Sequence, residues 1–308
     1  MTDVVPSDIT RVSVVIANLN SPILDRVLDA LYAQRLEPRL SVEIVVVGQD
    51  DSGCLRRFPR VIFERTEHPV GPAAARNIGI RRSHGELIAY LDSDCVPDPN
   101  WISEMVAAHC RHPRQAVIGG SIKIDADDIW ALTDNLASFH AYLPTRRAAV
   151  YPVLPTCNLS VRRSAIDEVG LFDESFLINE DVDWTMRARR KGFSLYFHPS
   201  ARVWHQTQRR TYRAVLRHAR QWGYYSIVNR YRYSDLEPLP FAFRHWLNLV
   251  VLSLLIAIAV TTGIFIRNPS ALRHVYVFPL ILGTKLAWCW GAVRRLKQRE
   301  KFDHVETR

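Results

Sequence analysis

Three aspartates fall within seven positions of the stretch LDSDCVPDPN, Leu91 to Asn100. Asp92 and Asp94 stand at i and i+2, so on a turn both carboxylates can point the same way, and a cation between or near them relieves their repulsion. A hard divalent ion, Mg²⁺ or Mn²⁺, held by one or two carboxylates completes its shell with water and substrate phosphates, which makes a diphosphate the natural complement. The competing reading is a pair of solvated turn aspartates. Asp98 has a structural reading of its own. Followed by Pro99, it predicts an N-cap with proline at the first helical position, and Trp101, Ile102, Met105 and Val106 give that helix an apolar face. A second acidic group, Glu180, Asp181 and Asp183 in NEDVDW, opens another helical pattern, where negative charge by itself favours a helix start.

The elements that must position these acids alternate. VSVVI (12–16) reads as a buried strand, after which Ser21 caps and Pro22 opens a helix with Leu24, Val27, Leu28 and Leu31 on one face. VEIVVV (42–47) and VIFE (61–64) read as further strands, Gly71 and Pro72 open an alanine-rich helix, and ELIAYL (86–91) is the strand that delivers Asp92. Such a β-α-β-α-β series builds a mostly parallel sheet flanked by helices, with ligands at the carboxyl ends of its strands. LDSD occupies one of those ends.

The chain has 308 residues, 48% of them hydrophobic, enough for a full core in one large domain or two. A formal charge of +9 suits nucleic acid, nucleotide or anionic lipid equally. The basic residues cluster beside apolar segments without a recognised reader motif, so nucleic acid is excluded as a partner. Five scattered cysteines form neither a disulfide framework nor a zinc ribbon, which fits a reducing compartment. MTDVVPSDITR lacks the basic and apolar regions of a cleavable signal.

Trp246 to Ile266 contains no charge over 21 residues, and a hydrocarbon core needs about 20 residues of helix. Val275 to Val293 is a second candidate span, weakened by Lys285 and Pro279, so two antiparallel spans and a re-entrant hairpin both stay open. Arg217, Arg220, Arg230, Arg232 and Arg244 precede the pair and Arg294, Arg295, Lys297, Arg299 and Lys301 follow it. The positive-inside rule therefore places both flanks in the cytoplasm, with Arg267 and Arg273 in the link running against it. The bland alternative is a buried hairpin of a soluble domain. Upstream, a helix over about 207–233 carries an apolar stripe (Tyr212, Val215, Leu216, Ala219, Trp222) among arginines, as an interfacial helix on anionic headgroups would, or as a helix packed on its own protein would.

SVVIANLN, GPAAARNIGI, the strand ending in LDSD, TCNLSVRRSAIDEVGLFDESF and NEDVDWTMRARRKGF together resemble the family 2 glycosyltransferases, in the same order and at similar spacing over residues 11 to 230. The resemblance implies an α/β GT-A fold, a nucleotide-sugar donor, Mn²⁺ or Mg²⁺, and inversion at the anomeric carbon. Position by position it makes Asp94 the direct metal ligand and sets Asp92 near the ribose or sugar as donor contact and further metal ligand, with Ser93 between them. Arg76 and Asn77 would face the donor, Ala17 and Asn20 the nucleoside, and Cys157 and Asn158 the sugar or acceptor. Asp181 is implied as the base that deprotonates the acceptor, with Glu180 orienting it. His205 is either an additional metal ligand or a histidine packed under a loop. One block departs: where the family places an aspartate that contacts the base, this chain reads Gly48 and Gln49 before Asp50 and Asp51, so either the acidic contact is displaced or Gln49 reads the base.

The resulting layout is a GT-A domain over 1–233, a linker over 234–245, transmembrane helices over 246–266 and 275–293, and a basic cytoplasmic tail over 294–308. The activity it implies is metal-dependent inverting transfer to a hydroxyl of a glycan or glycolipid at the cytoplasmic membrane face, with membrane lipids as partners. Transfer to a polyprenyl phosphate and a non-catalytic nucleotide-binding membrane adaptor are the alternatives.

Overall fold

The computed structural model describes residues 9–124 and 127–306, with side chains to Gln298. The N-terminal stretch without signal features and the side chains of Arg299 and Lys301 lie outside the described residues. The chain forms two compact units, residues 1–123 with 142–206, and residues 124–141 with 207–308.

The first unit is built on one sheet. Its strands are β1 (Arg11–Leu19), β2 (Ser41–Gln49), β3 (Val61–Arg65), β4 (Leu87–Asp92), β5 (Cys95–Pro97), β6 (Val117–Ile124), β7 (Ala149–Val150), β8 (Asn158–Arg162) and β9 (Leu195–His205). They run in the order β3-β2-β1-β4-β8-β6-β9-β5, with β7 paired to β9. The predicted parallel series is β1 to β4, and β8 then pairs antiparallel with β4, so the sheet is mixed. Strand β1 lies inside it: Val12, Val14, Val15 and Ile16 are at most 1% exposed, as a strand covered on both faces demands. The helices of this unit are α1 (Leu24–Tyr32), α2 (Pro72–Arg82), α3 (Trp101–Arg111), α5 (Arg163–Val169) and α6 (Glu180–Arg190), while α4 (Ile129–Phe139) belongs to the second unit. A core of Ile88, Tyr90, Leu159, Phe172, Trp184 and Phe197 fixes α2 and α6 to the sheet. Each such side chain contributes about 1.5–3 kcal/mol when fully buried.

Two helix starts differ from the sequence expectation: α1 begins at Leu24 with Ile23 in the cap position, so Ser21 and Pro22 lie in the turn before it and neither caps nor opens the helix. Helix α3 begins at Trp101 with Asn100 in the cap position, and the Asp98 carboxylate instead accepts from Lys123 Nζ at 2.6 and 2.7 Å. A full cation is a stronger partner for a carboxylate than a backbone amide at a helix start.

The second unit joins α4 to α7 (Tyr212–Arg232), α8 (Trp246–Arg267) and α9 (Phe278–Glu306). This corrects the sequence layout in three respects. Helix α4, inside the stretch assigned to the catalytic domain, packs Leu132 and Leu136 against Ile264 and Ile281, and its buried Asp134 accepts from Arg209 Nε at 2.8 Å and faces His218 Nδ1 at 3.1 Å. Helix α7 fits the reading of a helix packed on its own protein, since it lies backbone to backbone on α9: a Cβ at Gly223 would fall 1.9 Å from the Trp288 carbonyl oxygen. The proposed linker buries Ala242 and Phe243 in a cluster with Ile227 and Cys289, and the proposed tail continues α9 as helix. Leu249 near the start of α8 meets Ala292 near the end of α9, while Ile264 and Phe265 meet Val277 and Ile281, so the two helices form an antiparallel hairpin. The two residues that weakened the second span are both accommodated. Pro279 lies in the first turn of α9, where a missing N–H breaks nothing, and Lys285 donates to the Ala137 carbonyl at 2.7 Å, the negative end of α4.

Candidate active site

The site lies within the first unit, at the carboxyl ends of its parallel strands. Register brings distant residues to one edge: Ala17 on β1 is opposite both Val47 on β2 and Asp92 on β4, and Leu19 is opposite Gln49. Ala17 therefore sits inside the strand rather than past it. Immediately beyond, Asn20 takes a left-handed backbone (φ 54°), a conformation asparagine tolerates better than most residues. Its Nδ2 donates to Asp51 at 2.6 Å and its Oδ1 accepts from the Asp51 amide at 2.8 Å.

The Asp92 and Asp94 carboxylates diverge. Asp92, one-third exposed, accepts from Arg76 Nη2 at 2.8 Å, while Arg76 Nη1 reaches Glu180 on α6 at 2.5 Å. Arg76 is 4% exposed. Burial alone would loosen its proton, but Asp92 and Glu180 outweigh burial and hold the guanidinium more firmly charged than usual. Asp94 turns toward His205, whose Nε2 lies 3.6 Å from Asp94 Oδ2. That meeting follows from the pairing of β5 with β9, which sets Cys95 opposite His205 and lets the Gln206 amide donate to the Asp94 carbonyl at 2.8 Å. The donor atoms of Asp94, Cys95 and His205 all lie within 4.8 Å of one another. A carboxylate oxygen and an imidazole nitrogen suit Mn²⁺ or Mg²⁺. The Cys95 thiol does not: burial pushes its pKa well above the ordinary value, so it stays protonated and is a poor ligand for a hard ion. Asp94 and His205 thus fit a divalent cation, and Asp92 stands outside that group.

Helix α6 supplies the second centre. Asn179 caps it in a left-handed conformation (φ 68°), which turns the chain so that Glu180 and Asp181 enter the first turn together. Asp183 faces inward and accepts from Arg187 at 2.9 Å, leaving it a helix-supporting role. Asp181 is half-buried and accepts from the Val182 amide at 2.8 Å. Burial first and the neighbouring Glu180 second push its carboxyl well above the usual range, with Arg76 pulling the other way. A carboxylate so destabilised is the stronger proton acceptor.

Several predicted contacts are engaged elsewhere. Asn158 is fully buried: its Oδ1 accepts from Trp101 Nε1 at 2.7 Å and its Nδ2 donates to the carbonyls of Ser121 at 2.8 Å and Ala201 at 3.0 Å. This amide ties β8 to its neighbours and is not turned toward an acceptor. Asn77 likewise faces away from a donor, clamping the loop before α6 through the Phe172 amide and carbonyl and Glu174. Cys157 is buried with its thiol against Cys95. Gln49 turns its amide to Thr66, 2.8 Å from Oγ1. Asp50 binds Ser52 Oγ and the Cys54 and Leu55 amides, which against burial hold its carboxyl below the usual range. Asp51, 65% exposed at its side chain and 3.8 Å from Arg65 Nη2, is the more accessible of the two acids at this edge. Ser93 uses its carbonyl to accept from Ser21 Oγ at 2.7 Å. Two positioning residues escaped the sequence reading. Asn18 donates to the Gln49 carbonyl and accepts from the Ser21 amide, and Arg26 binds Gln206 at 2.8 Å beside His205. Asn18 was discoverable as a polar residue closing a buried strand; Arg26 meets a partner 180 positions away.

Comparison with known proteins identifies the family and the fold. A sequence profile of the glycosyltransferase like family 2 matches residues 10–224. The chain is 28% identical over 200 residues to glycosyltransferase AglE of Haloferax volcanii, covering 62% of this chain and 65% of that protein. It is 34% identical over 175 residues to the pre-mycofactocin glycosyltransferase of Mycobacterium tuberculosis, covering 52% of this chain and 37% of that one. In fold it is similar to the mannosyltransferase PcManGT of Pyrobaculum calidifontis, solved with GDP-Man and Mn²⁺, at a TM-score of 0.62, 17% identity and coverage of 95% and 91%. It is also similar to GalNAc-T7, solved with UDP, GalNAc and Mn²⁺, at a TM-score of 0.52, 21% identity and coverage of 76% and 52%. A profile spanning most of the chain, and a mixed α/β sheet matching those structures in fold, have one reading: the chain belongs to the glycosyltransferase like family 2 and has its GT-A fold.

Proposed function

We propose that this chain transfers a sugar from a nucleotide-sugar donor to a hydroxyl of a glycan or glycolipid acceptor, with inversion and with a divalent metal, at the cytoplasmic face of a membrane. The observation that carries the proposal is the link between two acidic centres. Arg76 bridges Asp92, two residues before the Asp94–His205 pair, to Glu180, the neighbour of Asp181 on α6. Asp94 and His205 would hold the ion, which when bound neutralises charge on the departing diphosphate. Like-fold proteins solved with GDP-Man or UDP and Mn²⁺ support that assignment. Asp51 and Asn20 would meet the nucleoside, and Asp92, fixed by Arg76, would orient the donor's ribose or sugar. Asp181 takes the acceptor hydroxyl's proton, and the first turn of α6 holds its carboxylate in place for that step.

Membrane attachment rests on α8 and α9. Helix α8 and the helical stretch Pro269–Gln298, which includes most of α9, are long and apolar enough to cross a bilayer, and only 28% and 33% of their most apolar windows is buried. Val251, Leu255 and Ile266 stand 75%, 64% and 72% exposed, an apolar surface that suits lipid rather than water.

The test is transfer from a panel of nucleotide sugars by the purified full chain, with and without Mn²⁺ or Mg²⁺. Asp94→Ala and Asp181→Asn should each lower the rate by at least about a hundredfold. Unchanged rates would remove the assignment. A polyprenyl phosphate acceptor is already an anion, so retention of rate in Asp181→Asn alone would favour that acceptor class.

A further inference from the structure

Within the second unit, α7 and α9 meet so closely that a Cβ at Gly291 would fall 1.9 Å from the Arg220 carbonyl oxygen. Alongside this contact runs a groove of about 370 Å³ lined by Arg217, Arg220, Gln221, Tyr224, Tyr225 and Arg294. Arg217, Arg220 and Arg294 are exposed, and no carboxylate pairs with any of their guanidinium groups among the described residues. Three unneutralised cations on one groove repel one another unless an anion joins them. The tyrosine beside them is held in place, since Tyr224 donates to Gln298 Oε1 at 2.6 Å and Arg295 stacks 5.4 Å over its ring.

We propose that this groove binds the phosphate headgroup of an anionic phospholipid. Guanidinium forks match phosphate oxygens in charge and geometry, and the Tyr225 hydroxyl in the lining can add a donor. The position along α9 selects a lipid over a soluble phosphate. Arg294 directly follows the apolar stretch 275–293, Trp290 one turn earlier is 62% exposed, and Trp246 with Lys297 over its ring at 4.0 Å marks the start of α8. Exposed tryptophan next to arginine at the end of an apolar helix is the arrangement found at headgroup level. The groove thus fixes a lipid against α7 through a discrete site, in place of a loose basic surface. This inference depends on α8 and α9 lying in a bilayer and not on the transferase reading, because its test contains no sugar.

Native mass spectrometry of the detergent-solubilised full chain, titrated with dioleoyl phosphatidylglycerol or dioleoyl phosphatidylcholine, reads binding directly. One phosphatidylglycerol should bind at least about tenfold more tightly than phosphatidylcholine, and Arg217→Gln/Arg220→Gln/Arg294→Gln should remove that preference. Arg56→Gln/Arg81→Gln/Arg114→Gln, which makes the same charge change on the first unit, should keep it. A wild-type preference for phosphatidylglycerol retained in the groove variant, or the same loss of preference in the control variant, would overturn the site. Displacement of the lipid by inorganic phosphate would show a soluble-phosphate site and overturn the choice of ligand. Arg294→Gln alone serves if the triple variant unfolds, and must weaken phosphatidylglycerol without weakening phosphatidylcholine.

Discussion

Removing Arg76 should separate the energetics of the site from its chemistry. Its two carboxylate partners differ in solvation: the Glu180 side chain is 8% exposed and that of Asp92 is 33% exposed. Breaking a buried pair by deleting one member costs about 3–5 kcal/mol, whereas a pair open to solvent contributes about 0–1 kcal/mol. Arg76→Met keeps most of the side-chain volume and strands Glu180, so most of the loss comes from that side. A penalty of about 3–4 kcal/mol lowers the melting temperature by about 6–16 °C for a unit of this size. Glu180→Gln added to Arg76→Met removes the stranded charge and should recover at least about 1.5 kcal/mol of that loss. Thermal unfolding of the purified full chain, followed by tryptophan fluorescence for wild type, both single variants and the double variant, completes the cycle. A loss below about 1 kcal/mol in Arg76→Met, or a double variant no more stable than that single variant, would refute the placement of Glu180 as the buried partner.

Asp181 gives the pH prediction. Its carboxyl pKa is raised in the fold by burial and by Glu180, so the folded state favours its protonated form. The resulting stabilisation is present below the unfolded carboxylate pKa of about 4 and is lost as pH rises through the raised folded value. Asp181→Asn should therefore raise the melting temperature at pH 8, leave it nearly unchanged at acid pH, and abolish transfer; a lower melting temperature at pH 8 would contradict the burial argument. Asn77→Ala strands the buried Phe172 amide and should cost about 1–3 kcal/mol, measured by thermal shift. Gly223→Ala forces a Cβ into the Trp288 carbonyl and should destabilise the α7–α9 contact by about 1–3 kcal/mol in detergent, with little effect on donor binding.

The parallel half of the fold was legible because it is written in local patterns: apolar runs at β1, β2 and β4, and Pro72 opening α2. The acids at the strand ends were legible for the same reason. What the pattern could not carry was pairing across the chain. Whether Asn158 faces an acceptor or the core depends on Trp101, 57 positions away, and on Ala201, 43 positions away. An amide has the same chemistry in both settings, and only the β8 register decides between them. The assignment of α4 to the second unit has the same origin, since Asp134 finds its partners at Arg209 and His218.

At the departure near the end of β2, backbone geometry limits where an acid can stand. At Gly48 the chain adopts φ 129°, and a Cβ there would lie 2.0 Å from the Asn18 carbonyl oxygen on β1. An aspartate cannot occupy that position without separating β1 from β2, so an acidic contact can only come later. Of the two acids that follow, Asp50 is committed to the turn it caps, while Asp51 is held at the edge by Asn20, itself left-handed so that its amide grips both the side chain and the backbone of Asp51. Gly48 lies in β2, and Asn20 follows the last residue of the adjacent strand β1. If Asp51 meets the nucleoside as proposed, Gly48 and Asn20 act together: the one leaves no room for a side chain at the end of β2, and the other holds the Asp51 carboxylate at the carboxyl edge of the sheet.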